Sequence, residues 1–233
     1  MIKRIRFATR PGSLRTQDFP LLWRSAVGAA AEAPAEVRPL RIAVCTTAPN
    51  IGELRPRHDG VGIEWFRDAG QLAQYERWLT TAGGRAVAAG VTAVGGDPVV
   101  CADEAVLRGA DWLSGRWHQG GVKLKHMALA VRAPSLTAAD FADRWRGHAG
   151  TAPGPTPVAA TIIPDHVRGL AYVQNHPLTE ERPYDAVNEV WFDDPAGLRA
   201  RVEWFRDNDI GAGDATFAQS WFLAVREEIV YSR

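Results

Sequence analysis

The sequence predicts an α+β fold: two tandem ferredoxin-like domains, residues 1–118 and 119–233, packed sheet to sheet as an eight-stranded, barrel-like core with helices outside. The first observation behind this is an internal repeat. Phe19 and Trp23 recur as Phe141 and Trp145, and Trp65 and Trp78 recur as Trp191 and Trp204. Three tryptophan pairs in register point to a duplication. The second is that each half reads strand, helix, strand, strand, helix, strand, the split β-α-β pattern. The third follows from the second. Such a domain leaves one apolar sheet face bare, and two copies in one chain cover each other.

In the first half, Ile2–Thr9 is a strand. A helix follows from near Thr16, with Phe19, Leu22 and Trp23 on one stripe and Pro20 tolerated in the first turn, where N–H groups lack intrahelical acceptors. Residues 29–39 read as helix extension or loop. Leu40–Thr46 and Gly60–Phe66 are strands, Asp68 caps a helix through Leu79, residues 84–94 carry no clear assignment, and Pro98–Val106 is the last strand. Residues 110–121 read as the junction between copies. In the second half, Val122–Val131 is a strand, and Thr137 with Asp140 starts a helix carrying Phe141 and Trp145. Gly147 ends that helix, and three Pro and one Gly make 151–157 a loop. Leu170–Gln174 and Ala186–Phe192 are strands, Asp194-Pro195 starts a helix, and Ser220–Val230 closes the repeat, aligned with 103–106 at an offset of 124.

Composition narrows the function classes. Lys plus Arg, 27, equals Asp plus Glu, 27, so no net field draws the chain to nucleic acid. No run of 18 apolar residues argues for a membrane span. Cys45 and Cys101 lack CxxC spacing and are expected as free thiols in a reducing cytoplasm. No His or carboxylate spacing suggests a metal, and no glycine pattern suggests a nucleotide. Abundant Ala, Arg, Gly and Trp suit a GC-rich bacterial source.

The second half resembles the EthD-type branch of the dimeric α/β-barrel superfamily. The resemblance rests on a lysine-rich first strand, Leu136-Thr137…Phe141…Trp145…His148, then Gly169–Asn175, Tyr184–Asp194 and Glu227-Glu228. The first half keeps Phe19, Trp23, Asp59-Gly60-Val61 and Trp65-Phe66, but has Ala26 where the second has His148. The resemblance implies an intramolecular dimeric α/β barrel. Its relatives span cyclases, cofactor-free monooxygenases, decarboxylases, haem-handling enzymes and proteins without assigned activity, so the fold leaves the reaction open. In similar proteins the histidine at the place of His148 is the usual catalytic candidate.

Strand parity sorts the remaining candidates. Ile5 and Phe7 align with Met127 and Leu129, and this bulky row is assigned to the helix-packed side. Arg4, Arg6 and His126 alternate with it and are assigned to the space between the sheets, where cations suit an anionic or phenolate-like ligand. Tyr172 replaces Val44 and could stabilise an oxyanion, or simply pack. Asn175 lies three residues on, hence on the opposite face. Asn188 and Glu189 replace Gly62 and Ile63, and parity leaves open which of them lines the cavity. His166 follows Asp165, and His58, His118 and His176 are expected in solvent. The expected catalytic set is therefore His148, Tyr172 and His126, with Arg4, Arg6, Trp145, His166, Asn175 and Asn188 as substrate-binding candidates. The expected function is a cofactor-free enzyme moving protons on an aromatic or polyketide-like small molecule, in a cyclisation, dehydration or related lyase step. An oxygenase of the same fold, cofactor-free or haem-using, and a non-catalytic binding protein are the alternatives. Monomer and homodimer both fit, since edge strands could pair chains.

Overall fold

A computed structural model of the chain describes residues 1–48, 50–51, 56–146, 163–208 and 216–233. Eight antiparallel strands close into a barrel. In the first half these are β1 (Ile2–Ala8), β2 (Arg41–Thr47), β3 (Gly60–Phe66) and β4 (Gly96–Arg108); in the second, β5 (Val122–Arg132), β6 (Ala171–Pro177), β7 (Ala186–Phe192) and β8 (Phe217–Ser232). Strand order around the wall is β1-β3-β2-β8-β5-β7-β6-β4. Each half thus contributes one arrangement, β4-β1-β3-β2 and β8-β5-β7-β6. The halves join edge to edge, β2 to β8 and β4 to β6. The edges that the sequence left open for chain pairing are consumed by this closure.

Helices cover the outside. α1 (Phe19–Gly28) starts three residues later than expected, with Pro20 in its first turn. α2 (Ala69–Leu79) is capped by the Asp68 carboxylate, which accepts the Gln71 N–H at 2.8 Å. The unassigned small-residue stretch is a helix, α3 (Ala82–Ala93), capped by Thr81. Small residues let it lie close on its neighbours: a Cβ at Gly84 would meet the Trp78 carbonyl oxygen at 2.1 Å. The junction is also helical, α4 (Ala110–Gln119). α5 (Ala138–Arg146) begins where Thr137 Oγ1 accepts the Asp140 N–H. α6 (Asp165–Arg168) is a single turn, and α7 (Pro195–Asn208) is capped by Asp194. No helix among the described residues is long and apolar enough to cross a membrane.

The structure reverses the expected strand faces. Ile5, Phe7, Met127 and Leu129 form one buried cluster inside the barrel, with Val61, Ile63, Trp65, Val187, Leu223 and Val225. Arg4, Arg6, Ala8, His126, Ala128 and Ala130 point outward to the helix layers. The reason is closure: with helices outside and a second sheet inside, both faces of each strand are buried, so bulk alone does not identify the inner one. The register of the last strands also differs by one residue. Ala102 opposes Lys3, and Val225 opposes Lys125, an offset of 123 that places Glu104 and Glu227 inside together.

The barrel interior is filled. At one end α4 packs Trp117 against the inner cluster. There the Glu189 carboxylate joins both lysines, Lys3 at 2.6 Å and Lys125 at 2.5 Å. Lys3 also meets Glu104 at 2.8 Å, Lys125 also meets Glu227, and Arg116 of α4 reaches Glu227 at 3.2 Å. Trp65 and Trp191 donate their indole N–H groups to Glu104 and Glu227. Three cations thus answer three carboxylates, the condition for a buried charge cluster to be tolerated. Burial would raise the Glu189 pKa, but Lys125 and Lys3 overcome that and hold it at about 2. At the other end His58, expected in solvent, is buried against Phe7, and its Nε2 contacts the Tyr184 hydroxyl at 2.5 Å. His118 is exposed as expected, and His176 is half-buried. Cys45 lies in the inner cluster and Cys101 packs on the helix side, so opposite faces of the wall separate the two free thiols.

Candidate functional site

The helix side of the second half gathers buried polar groups that the first half lacks. Tyr172 of β6 and His126 of β5 both oppose Val190 of β7, so the three share one row across the sheet. Gln174, Asn188 and Ala128 form the adjacent row. Two inter-strand spacings separate Tyr172 from His126, about 10 Å, enough for an aromatic ring system to touch both. α5 supplies Trp145 and α7 supplies Arg201.

Donor-only and acceptor-only groups fix the orientation of every amide here. The Trp145 indole N–H donates to Asn188 Oδ1 at 3.1 Å, so the Asn188 amide N–H₂ faces away and donates to the Tyr172 hydroxyl at 2.8 Å. Gln174 Nε2 donates to the Trp145 carbonyl at 2.9 Å and to the Tyr172 hydroxyl at 3.1 Å. The Tyr172 oxygen thus accepts twice, and its own hydrogen has no acceptor among the described residues. Burial pushes the phenol up to about 12, against the opposing pull of Gln174 and the nearby Arg201 and Arg108, so it stays a donor at neutral pH.

The same logic settles His126. Arg201 Nε donates to His126 Nδ1 at 3.1 Å, so Nδ1 is the bare nitrogen and Nε2 carries the proton. Nε2 is buried without a hydrogen-bond partner. Burial, then Arg201, holds the imidazole pKa well below its ordinary value, so the ring is neutral. It stacks on Phe222 at 4.9 Å and touches Phe205. Arg201 also donates to the Val167 carbonyl at 2.7 Å. Burial, with Arg108 adding to it and Tyr172 opposing, brings its pKa down to about 9. Gln174 Oε1 is a buried acceptor without a partner. Across from His126, Ala224 of β8 is buried; further along the same face Ala128 is half-buried and Ser220, which opposes Ala130, is exposed.

The expected site residues therefore part company. Tyr172, His126, Asn188 and Trp145 meet on one face. Asn175 lies on the opposite face, as parity required, and donates to Glu189 at 2.9 Å inside the barrel. Arg4 and Arg6 lie on the helix side of the first half, not between the sheets: Arg4 pairs with Glu64 at 2.8 Å and Arg6 donates to the Gly96 carbonyl. His166 is exposed on α6. His148 falls outside the described residues. Between Asn188 and Glu189, Asn188 faces the helices and Glu189 the barrel core. Sequence reasoning missed Arg201 and Gln174. The repeat offered a signal for Arg201, which stands where the first half has Tyr75.

A cleft of about 560 Å³ lies elsewhere, between α1, β2 and β8 on the first half's outer face, lined by Phe19, Val44, Thr46, Arg226 and Glu228 among others. Its Arg24 is answered by Glu228 through two bonds of 2.8 and 3.0 Å. Among the described residues, no group of three or more His, Cys, Asp or Glu could hold a metal ion. Nor does His126 suit axial ligation of haem, since its outward nitrogen presents an N–H rather than a lone pair.

No family model matches the chain. No curated protein matches it either. Solved structures do. An "anthrone oxidase-like protein" aligns at TM-score 0.58 and 13% identity, over 100% of this chain and 92% of its own. A "putative monooxygenase" from Lactobacillus acidophilus NCFM aligns at TM-score 0.50 and 11% identity, over 100% of this chain and 97% of its own. What both share with this chain is architecture, the closed α/β barrel with helices outside.

Proposed function

We propose that the protein is a cofactor-free enzyme oxidising an enolisable aromatic small molecule with dioxygen, at the helix side of its second half. One observation carries the reading: two buried donors, the Tyr172 O–H and the His126 Nε2–H, have no acceptor among the described residues. Buried donors left without partners cost free energy, so a site that keeps two of them in one row suits a molecule that brings its own oxygens. The Tyr172 O–H would hold the oxyanion of an enolate while a base removes the ring proton, and the His126 N–H, about 10 Å away, a second oxygen of the same molecule. His148 is that base in this proposal. The enolate then reduces dioxygen, so a ring methylene and O₂ give a carbonyl and water. The anthrone oxidase-like and monooxygenase-like neighbours support an oxidation over the cyclisation, dehydration or other lyase step expected from sequence. The lyase is a second reading because the same Tyr172 donor would stabilise its enolate without oxygen. The finer assignments belong here too. The chain reads as two tandem copies, 1–118 and 119–233, supported by the matching strand orders, and as EthD-type, supported by the motifs of the second half.

Anthrone supplied to the protein under air should give the quinone chromophore with consumption of dioxygen, and Tyr172→Phe should slow this about a hundredfold, the usual effect of losing one oxyanion donor. Quinone formation and dioxygen uptake no faster than in protein-free buffer would overturn the oxidase. Unchanged turnover in Tyr172→Phe would remove the site.

A further inference from the structure

The two halves answer one charge differently. In the first, Arg4 of β1, Glu64 of β3 and Tyr75 of α2 form a closed set: Arg4 Nη1 meets Glu64 at 2.8 Å and the Tyr75 hydroxyl donates to the other Glu64 oxygen at 2.9 Å. The matched positions in the second half are His126, Val190 and Arg201. The cation has moved from strand to helix, and the carboxylate has become valine. Arg201 is only 7% exposed, and no carboxylate among the described residues lies within ion-pair distance of it. A buried guanidinium without counter-charge is costly. It sits over Val190, bonded to His126 on one side and near Tyr172 on the other.

We propose that a carboxylate of the ligand supplies to Arg201 in the second half the counter-charge that Glu64 supplies to Arg4 in the first. The site therefore selects aromatic molecules bearing a carboxylate. This rests on the functional reading for its location and deepens it to a substrate class.

The test uses 1-naphthoate and its neutral isostere 1-naphthamide in thermal melts of the whole chain. 1-Naphthoate at a hundredfold excess over its dissociation constant should raise the melting temperature by roughly 5 °C, and 1-naphthamide should not. Arg201→Gln should abolish the rise. In a second arm, Val190→Glu should melt higher than Val190→Gln in the parent chain, but not in the Arg201→Gln background, and Val190→Glu should no longer respond to naphthoate. An equal response to the amide, a response that survives Arg201→Gln, or no response to naphthoate overturns the proposal. Should the Val190 variants not fold, the ligand arm decides alone. Loss of turnover with naphthoate binding intact would strike the oxidase reading and leave this one standing.

Discussion

The helix layers of the two halves share one scaffold and treat polarity in opposite ways. In the first, Gly60 and Gly62 let α1 sit tight on the sheet: a Cβ at Gly60 would meet the Trp23 indole nitrogen at 2.7 Å, and one at Gly62 would meet Val27 at 2.9 Å. The Trp23 N–H is buried without a partner, and Arg4 is closed off by Glu64. In the second, Asn188 replaces Gly62 and takes the matched tryptophan's N–H, and its amide turns Tyr172 into an outward donor. One substitution from glycine to asparagine thus converts a packing contact into an oriented hydrogen-bond relay. The lesson is that two halves with one strand order can close polar groups off in one helix layer and leave donors open in the other.

Four substitutions would break or sharpen this comparison. The largest effect is expected from Glu189→Ile, which gives the second half the first half's Ile63. Lys3 and Lys125 would then face each other with their bridging carboxylate gone, at a cost of about 3–5 kcal/mol in urea denaturation. A loss below about 1 kcal/mol would mean that the bridge does not hold the halves together. The pH dependence has a definite sign. The folded pKa of Glu189, about 2, lies below the ordinary glutamate value of 4.5, so its contribution is present above about 4.5 and fades as pH falls toward 2. Glu189→Ile should lack that portion of the acid transition. Next comes Glu64→Val, which copies Val190 into the first half and leaves Arg4 only the half-exposed Glu76, 3.8 Å from its Nε. About 3 kcal/mol is expected, the lower end of the range for breaking a buried pair. A neutral outcome would show that a poorly paired cation is cheap in this layer and would weaken the case built on Arg201. The smallest effect is the difference between Trp145→Phe and Trp23→Phe. Both lose ring volume, but only Trp145 loses its bond to Asn188, so it should cost about 1 kcal/mol more in thermal or urea melts.

Much of the fold was legible because its signals are local. The caps at Asp68, Thr137 and Asp194 work through a side chain and an N–H three residues on, and the repeated tryptophans mark the same core positions twice. The small-residue helix α3 escaped because its stripe holds little beyond Val91, and glycine hides helical periodicity. Inside and outside were confused for a tertiary reason: Phe7 and Trp23 are equally buried on opposite sides of the wall. The site was half legible. Tyr172, Asn188 and His126 stood out as departures from the repeat. Gln174 and Arg201 act only because Trp145 and His126 come to them from distant parts of the chain, separations of 29 and 75 residues. Lys3 and Lys125 were visible as a matched pair of strand lysines, but a polar residue in a strand normally marks solvent, and only closure of the barrel brings them together.

Glu189 carries a consequence for ancestry. Were the first half to pair with a second copy of itself, two Lys3–Glu104 pairs would meet across two isoleucines with no carboxylate bridging them. Were the second half to do so, two Glu189 carboxylates would crowd the same spot. The Lys3–Glu189–Lys125 bridge is thus one that neither half could build by pairing with itself.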